Sequence, residues 1–258
     1  MSTYTPAASI DEVLAALDAI IDRAYAEKDR AGYFAALYRT VTAAVKAGIA
    51  SGSFEDGPRM ARLDVVFANR YLEALYRYRS RQPLSLCWRA AFEATKHRRV
   101  VIVQHLLLGM NAHINLDLGI AAAEVCPGDA LPSLERDFTA INTVLASLET
   151  GIEQEVCSLS PWIDLLDHVD PNAGRVVANF SIARARECAW RAAQRLSVLS
   201  GAARDVAIAE IDADVALLAH LVERPVGLII NINLVLVRLR EVWDIRKIIR
   251  TLSSRSLG

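Results

Sequence analysis

The chain has 258 residues, of which 53% are hydrophobic and 23% are charged, and glycine and proline are sparse. This composition is typical of a globular protein and excludes a mainly disordered one. Because the formal net charge is only −1, no strong field attracts the chain to nucleic acid or to an anionic membrane, and neither partner is expected.

Helical periodicity runs through almost the whole sequence, whereas strand alternation is nearly absent. The predicted helices cover, in chain order, about 10–29, 30–51, 58–79, a segment around Trp88, 99–125, 133–158, a short segment from 160, 175–200, 203–223 and 226–252. Ser9 and Glu12 predict a capping box before the first helix, and Pro58 suits the first turn of the third. The prediction is one all-α domain over residues 1–258, with a weak subdivision at 126–133.

That domain is expected to be a single bundle of about ten helices around a buried central apolar helix, 99–125, joined in the core by 226–237. The longest apolar runs are shorter than the ~20 residues of a spanning helix, so no membrane span is predicted. The first residues lack the order of a signal peptide. Four widely spaced cysteines form no CxxC pair and are interpreted as reduced thiols of a cytoplasmic protein.

The stretch HLLLGMNAHINLDLG, residues 105–119, brings polar side chains into this apolar helix. In a helical projection Gln104, Asn111 and Asn115 form a stripe of amides, and each amide needs a partner because an unpaired buried polar group costs ~1–3 kcal/mol. One interpretation is therefore a structural network, in which Asn231 and Asn233 are expected to bond to this stripe.

The other interpretation is a functional site. His113 and Asp117, four residues apart, form a second stripe that predicts an acid–base pair, with His105 as a second group for proton transfer. Further side chains on the central helix and on 58–79 are predicted to bind substrate: Asn111, Asn115, Asp64, Arg70 and Tyr71.

A metal site is the alternative use of the same pair. Asp164 and His168 repeat the spacing of His113 and Asp117. If the two helices meet, they supply two carboxylates and two imidazoles, a ligand set that suits zinc or iron. The cofactor prediction is thus zinc or iron if the pair binds metal, and none if His113 acts as a general base.

The strings LLLGMNAHINLDLGIAAA (106–123) and RLDVVFANRYLEAL (62–75) resemble a mainly bacterial family of helical proteins of unknown function. The most specific part of the resemblance is GMNAHINLDL, residues 109–118. The resemblance covers most of the chain. It implies an all-helical fold and gives no activity or residue roles.

Two functions follow as hypotheses. The first is an enzyme with a pocket inside the bundle, which acts on a small, partly hydrophobic molecule that is phosphorylated or ester-linked. The second is a non-catalytic helical module that binds an apolar ligand or a partner protein, with the polar residues as a core network. A homodimer is compatible with both. No nucleotide-binding loop, GxSxG or HExxH motif is present, which disfavours those enzyme classes.

Overall fold

The computed structural model describes residues 4–161 and 182–253. Within these ranges the chain is helical and contains no strand, so the all-α prediction is confirmed. The elements are α1 (Ile10–Glu27), α2 (Ala31–Ala50), α3 (Gly57–Arg79), α4 (Leu86–Ala94), α5 (Ile102–Ala112), a π-helix (His113–Leu118), α6 (Gly119–Val125), a 3₁₀-helix (Gly128–Leu134), α7 (Glu135–Leu159), α8 (Ile182–Ser197), α9 (Gly201–Glu223), α10 (Leu228–Arg240) and α11 (Ile245–Leu252).

The first helices begin where local chemistry predicts. Ser9 Oγ accepts a hydrogen bond from the Glu12 amide at 3.2 Å, and Glu12 Oε2 accepts from the Ala8 amide at 2.8 Å. Asp56 caps α3 by accepting from the Arg59 amide at 2.8 Å, and a proline occupies the first turn. These side chains satisfy amides that have no partner inside their own helix.

The centre of the bundle is one continuous helical segment, Ile102–Val125, made of α5, the π-helix and α6. Helices α2, α3, α4, α8 and α9 pack around it. By length and composition this segment could cross a membrane, but 83% of its most apolar window is buried inside the bundle. A core helix passes the same test, and the predicted central position of this segment fits the structure.

Close helix packing at the centre depends on two glycines. A Cβ atom at Gly109 would lie 2.4 Å from the ring of Phe34, and one at Gly119 would lie 2.8 Å from the carbonyl oxygen of Ala189. Contacts of real Cβ atoms are longer than these two distances. A side chain at Gly109 or Gly119 would therefore prevent the close approach of α2 and α8 to the central segment.

The predicted C-terminal helix 226–252 is wrong in one respect, because it is interrupted between α10 and α11. Glu241, at the break, has an extended backbone and a buried carboxylate that accepts from the Ile102 amide at 2.9 Å and from Arg238 Nη1 at 3.0 Å. Asp244 then caps α11. Glu241 thus caps the central helix α5, and this tertiary contact prevails over local helix propensity.

The prediction that 226–237 lies in the core holds for one side of the helix only. Only one side of α10 is buried, through Ile230, Leu234 and Val237. The opposite side carries exposed leucine, isoleucine and valine side chains. An apolar run shows that a segment avoids charge, but it does not show which of its faces another element covers.

Candidate functional site

The π-helix carries the histidine–aspartate pair that the sequence singled out. His113 is 2% exposed, Asp117 is 1% exposed, and His113 Nδ1 lies 3.2 Å from Asp117 Oδ2. A π-helix has more residues per turn than an α-helix, so residues four apart lie more nearly above one another. Such segments are rare and occur often at functional sites.

Three donors converge on the carboxylate of Asp117. Arg70 Nε donates to Oδ1 at 2.9 Å, Trp88 Nε1 donates to Oδ2 at 2.8 Å, and the His113 ring completes the set. Arg70 on α3 is 30% exposed, so it connects the buried carboxylate to the surface. A buried carboxylate is stable only when it is paired and hydrogen-bonded, and Asp117 meets both conditions.

Aromatic rings enclose the imidazole of His113. Phe67 stacks on it with ring centroids 3.6 Å apart, and Tyr38 meets it edge-on at 4.5 Å. Burial lowers the pKa of His113 below its ordinary value, although Asp117 partly opposes the shift. The ring is therefore neutral at pH 7, and with the proton on Nδ1 for Asp117 its Nε2 atom keeps a free lone pair.

Several buried polar atoms on α2, α3 and the π-helix meet no hydrogen-bond partner of good geometry among residues 4–161 and 182–253, although the hydroxyls of Tyr38 and Thr42 are close enough to interact. We call them the buried polar cluster: His113 Nε2, Tyr38 Oη, Thr42 Oγ1, Asp64 Oδ2 and Tyr71 Oη. They come from α2, α3 and the π-helix, whose other side chains in this region are largely aromatic. A buried polar atom without any partner costs ~1–3 kcal/mol, so these atoms require water, a ligand or one another as partners.

Burial also changes the acid–base chemistry of the buried polar cluster. It raises the pKa of Asp64 to about 7 and raises the pKa of Tyr38 well above its ordinary value, with a further contribution from the Asp64 charge. At neutral pH Asp64 can therefore both donate and accept a proton. Groups whose pKa has been shifted toward 7 by burial are common at catalytic sites.

His105 has a separate environment, which it shares with Tyr71 of the buried polar cluster. It lines a cavity of about 20 Å³ together with Phe34, Tyr71 and Trp88, and these three rings also contact His113 from the other side. His113 and Asp117 do not line that cavity. Burial lowers the pKa of His105 to about 3, so the ring is neutral at physiological pH. The structure does not bring His105 together with the pair.

The amide stripe has a structural role. Asn111 Nδ2 donates to the carbonyl of Val215 on α9 at 2.9 Å, and Asn115 Nδ2 donates to Asn111 Oδ1 at the same distance. Gln104 Nε2 donates to the carbonyl of Val222 at 2.6 Å. The stripe thus ties the central segment to the backbone of α9.

The expectation that Asn231 and Asn233 bond to this stripe is wrong. Asn231 instead donates to the carbonyls of Pro225 and Gly227, next to its own helix. The partners of Gln104 and Asn111 are main-chain carbonyls, which carry no signature in the sequence.

For the metal hypothesis, Asp164 and His168 lie outside the described residues. Within the part that is described, no group of three or more His, Cys, Asp or Glu side chains is placed to hold a metal ion. At Asp117 a cation would also compete with the Arg70 guanidinium and the Trp88 indole for the same oxygens.

Of the predicted substrate-binding residues, Asp64 and Tyr71 belong to the buried polar cluster, while Arg70 contacts Asp117. Sequence reasoning missed Tyr38 and Thr42. The sequence contains a weak indication of both residues. Their hydroxyl side chains are four residues apart on α2 and lie on one face of a helix that is otherwise rich in alanine.

Comparison with known families shows which family the chain belongs to. The model of a family of unknown function (DUF5995) matches residues 10–225, from α1 to just beyond α9. The chain belongs to this family. The match includes every residue of the buried polar cluster and ends before α10. Searches of curated proteins and of solved structures returned no significant match.

Proposed function

We propose that the protein is an acid–base enzyme that acts on a small, partly hydrophobic molecule bound at the buried polar cluster, with His113 as the proton-transferring residue. The observation that supports this most strongly is His113 Nε2, a basic nitrogen held in a buried site without a hydrogen-bond partner among the described residues. A core that only needed to be stable would pair this atom or replace the ring by an apolar one.

Asp117 is proposed as the positioning residue for His113. By accepting from Nδ1 it keeps the proton on that nitrogen, and its carboxylate stabilises the imidazolium that forms when Nε2 takes up a proton. Arg70 and Trp88 fix the carboxylate in turn. His113 is thus oriented by a chain of contacts while its second nitrogen stays available.

The proposed substrate class is an ester-linked or phosphorylated molecule with an apolar body. In ester hydrolysis, His113 Nε2 takes a proton from water as the water oxygen bonds to the carbonyl carbon. When the bond to the leaving alkoxide breaks, the proton passes from Nε2 to that oxygen. Tyr38, Tyr71 and the protonated form of Asp64 supply donors for the oxygen that becomes negative.

Access to His113 is proposed to pass Phe67. This side chain is partly exposed, stacks directly on the imidazole, and is the cover between that ring and the surface of α3. A substrate that displaces Phe67 exchanges one apolar contact for another, so an apolar group next to the reacting bond is expected. Asn111, Asn115 and His105 have no direct part in this proposal.

The test is a turnover assay with p-nitrophenyl esters and p-nitrophenyl phosphates of increasing chain length. The wild-type chain should release p-nitrophenol from at least one series, and His113→Gln should lower kcat at least about 100-fold, as expected for loss of a general base. The matched control is His220→Gln, an exposed histidine on α9. Equal turnover by wild type and His113→Gln would refute the proposal.

The finer expectations belong to the same proposal. We infer that GMNAHINLDL, residues 109–118, is the shared motif of the family, that the chain is bacterial, and that it works in the cytoplasm without spanning a membrane or binding nucleic acid. The 109–118 string contains His113 and Asp117 and forms the middle of the central segment, which supports its role as the motif. The zinc or iron version stays a prediction that metal analysis of untagged protein can test.

The second candidate is a non-catalytic helical module, and a specific observation favours it. His113 and Asp117 are almost fully buried, and neither lines the described cavity. In that case the pair serves only to hold α3, α4 and the central segment together. The module version predicts that His113→Phe, which fills the same space without polar atoms, preserves or raises the unfolding free energy and changes no measurable activity.

A further inference from the structure

The outer side of α10 is an exposed apolar face. It consists of seven side chains that are between 37% and 77% exposed: Leu228, Ile229, Ile232, Val235, Leu236, Leu239 and, just after the helix, Trp243. Together they expose on the order of 700 Å² of apolar surface, more than the largest patch on a typical monomer. We call this set the α10 face.

The spacing within the α10 face is that of a helix-packing seam. Leu228, Ile232, Val235 and Leu239 follow one another at intervals of four, three and four residues, which is the alternation of d and a positions in a heptad repeat. Ile229 and Leu236 widen the seam on one side. The same spacing occurs on the apolar face of any amphipathic helix, and it allows a second helix to insert its side chains between these positions.

The charge distribution is compatible with a copy of the same helix as the partner. All seven members of the α10 face are apolar, and the Arg238 guanidinium that stacks on Trp243 is paired with Glu241, so two such faces can meet without burying an unpaired charge. Self-complementary contact of one patch with itself is also the commonest way in which soluble proteins form dimers.

The exposed apolar area of the α10 face is in the range that each partner of a stable dimer buries. A standard interface buries about 800 Å² on each partner, close to the apolar surface that the α10 face presents. The inner side of the helix is anchored by Ile230, Leu234 and Val237, so α10 is held against the bundle and presents its outer side as a fixed surface.

From these observations we propose that the α10 face binds the α10 face of a second copy of this chain, in a two-fold symmetric dimer held together by helix–helix packing. This interface is independent of the buried polar cluster. It also lies beyond the residues 10–225 that match the family, so it is a property of this chain and not of the matched part of the family.

The test is sedimentation equilibrium of the full chain over a range of concentrations. The wild type should fit a monomer–dimer equilibrium. Ile232→Glu places a charge in the middle of the face and should weaken the dimer at least about 100-fold. Val206→Glu, at a valine on α9 that is 58% exposed against 49% for Ile232, is the control and should leave the dimer unchanged. Far-UV circular dichroism checks that each variant is folded.

A charge-pairing experiment identifies the partner surface. Ile232→Glu and Ile232→Lys should each be monomeric alone and should form a mixed dimer when combined, because each self-dimer brings two like charges into one apolar interface whereas the mixed dimer brings opposite charges together. A monomeric wild type at all concentrations, or a dimer that survives Ile232→Glu, would overturn the proposal. So would binding of the wild type to phosphatidylcholine–phosphatidylglycerol vesicles through Ile232 in place of self-association.

Discussion

Phe67 and His113 stack almost in parallel, with ring centroids 3.6 Å apart and planes 7° apart. The contact joins α3 to the π-helix and covers a histidine that is otherwise enclosed by Tyr38 and Trp88. In the proposed function, Phe67 controls whether solvent and reagents meet the imidazole.

Replacement of Phe67 by leucine should uncover His113. Reaction with diethyl pyrocarbonate, read at His113 by peptide mass mapping, should become faster because neutral imidazole nitrogens are then accessible. The loss of aromatic contact should lower the unfolding free energy by about 1–2 kcal/mol. Phe92→Leu is the control, since Phe92 stacks on Trp88 but does not contact His113. If both variants label His113 at the same rate, Phe67 is not the cover.

Asp117→Asn should destabilise the fold more than an ordinary surface change. It leaves the guanidinium of Arg70 and the buried His113 without their carboxylate, and breaking a buried pair costs about 3–5 kcal/mol. Because Arg70 is 30% exposed, water recovers part of this loss and about 2–3 kcal/mol is expected. Urea denaturation measures the change.

The control for that experiment is Glu73→Gln, which breaks the exposed ion pair with Arg77 on the same helix. Exposed pairs contribute about 0–1 kcal/mol, so this variant should unfold almost like the wild type. A result in which Asp117→Asn costs no more than Glu73→Gln would contradict the role of Asp117 as the centre of a buried polar network.

Asp64 predicts a pH dependence of a definite sign. In the folded chain its pKa is about 7, whereas in the unfolded chain the carboxyl releases its proton near pH 4. Between pH 4 and pH 7 unfolding releases a proton from Asp64, so the contribution of Asp64 to the unfolding free energy falls as pH rises. The slope is at most about 1.4 kcal/mol per pH unit.

Asp64→Asn isolates this effect, because asparagine does not titrate. The unfolding free energy of the wild type minus that of the variant should decrease from pH 4 to pH 7. The subtraction matters because His105, whose pKa is lowered to about 3, contributes a slope of the opposite sign over part of the same range. A difference that is constant over this range would show that Asp64 titrates normally in the folded chain.

Gly109→Ala should be clearly destabilising, because its Cβ would lie 2.4 Å from the Phe34 ring. Overpacking of this kind costs about 1–3 kcal/mol. Gly151→Ala in α7 is the matched control, since a Cβ there meets nothing within 4 Å. That change should stabilise the helix by about 0.5–1 kcal/mol. Thermal unfolding of both variants should therefore shift in opposite directions.

The sequence predicted the helices well because their boundaries depend on local chemistry. Ser9, Asp56 and the apolar run of the central segment each act within a few residues of where they stand. The break at Glu241 could not be predicted in this way, because the carboxylate leaves its own helix to cap α5, which is 139 residues away in the sequence.

The sequence predicted only the part of the candidate site that depends on local spacing. His113 and Asp117 are four residues apart and local spacing finds them, but Trp88 and Tyr38 reach the site from other helices. The exposed outer side of α10 was missed because an apolar run looks the same whether the surrounding protein covers one face or both. Tertiary contacts, not local pattern, decide these cases.

The protonation state of His113 can be read by ¹⁵N-resolved NMR of its imidazole in the wild-type chain. We expect a neutral ring at pH 7, with its proton on Nδ1 and an unprotonated Nε2, because burial lowers the pKa of His113 and Asp117 accepts from Nδ1. A proton on Nε2, or a charged imidazolium at pH 7, would contradict the assignment of His113 as the proton-transferring residue.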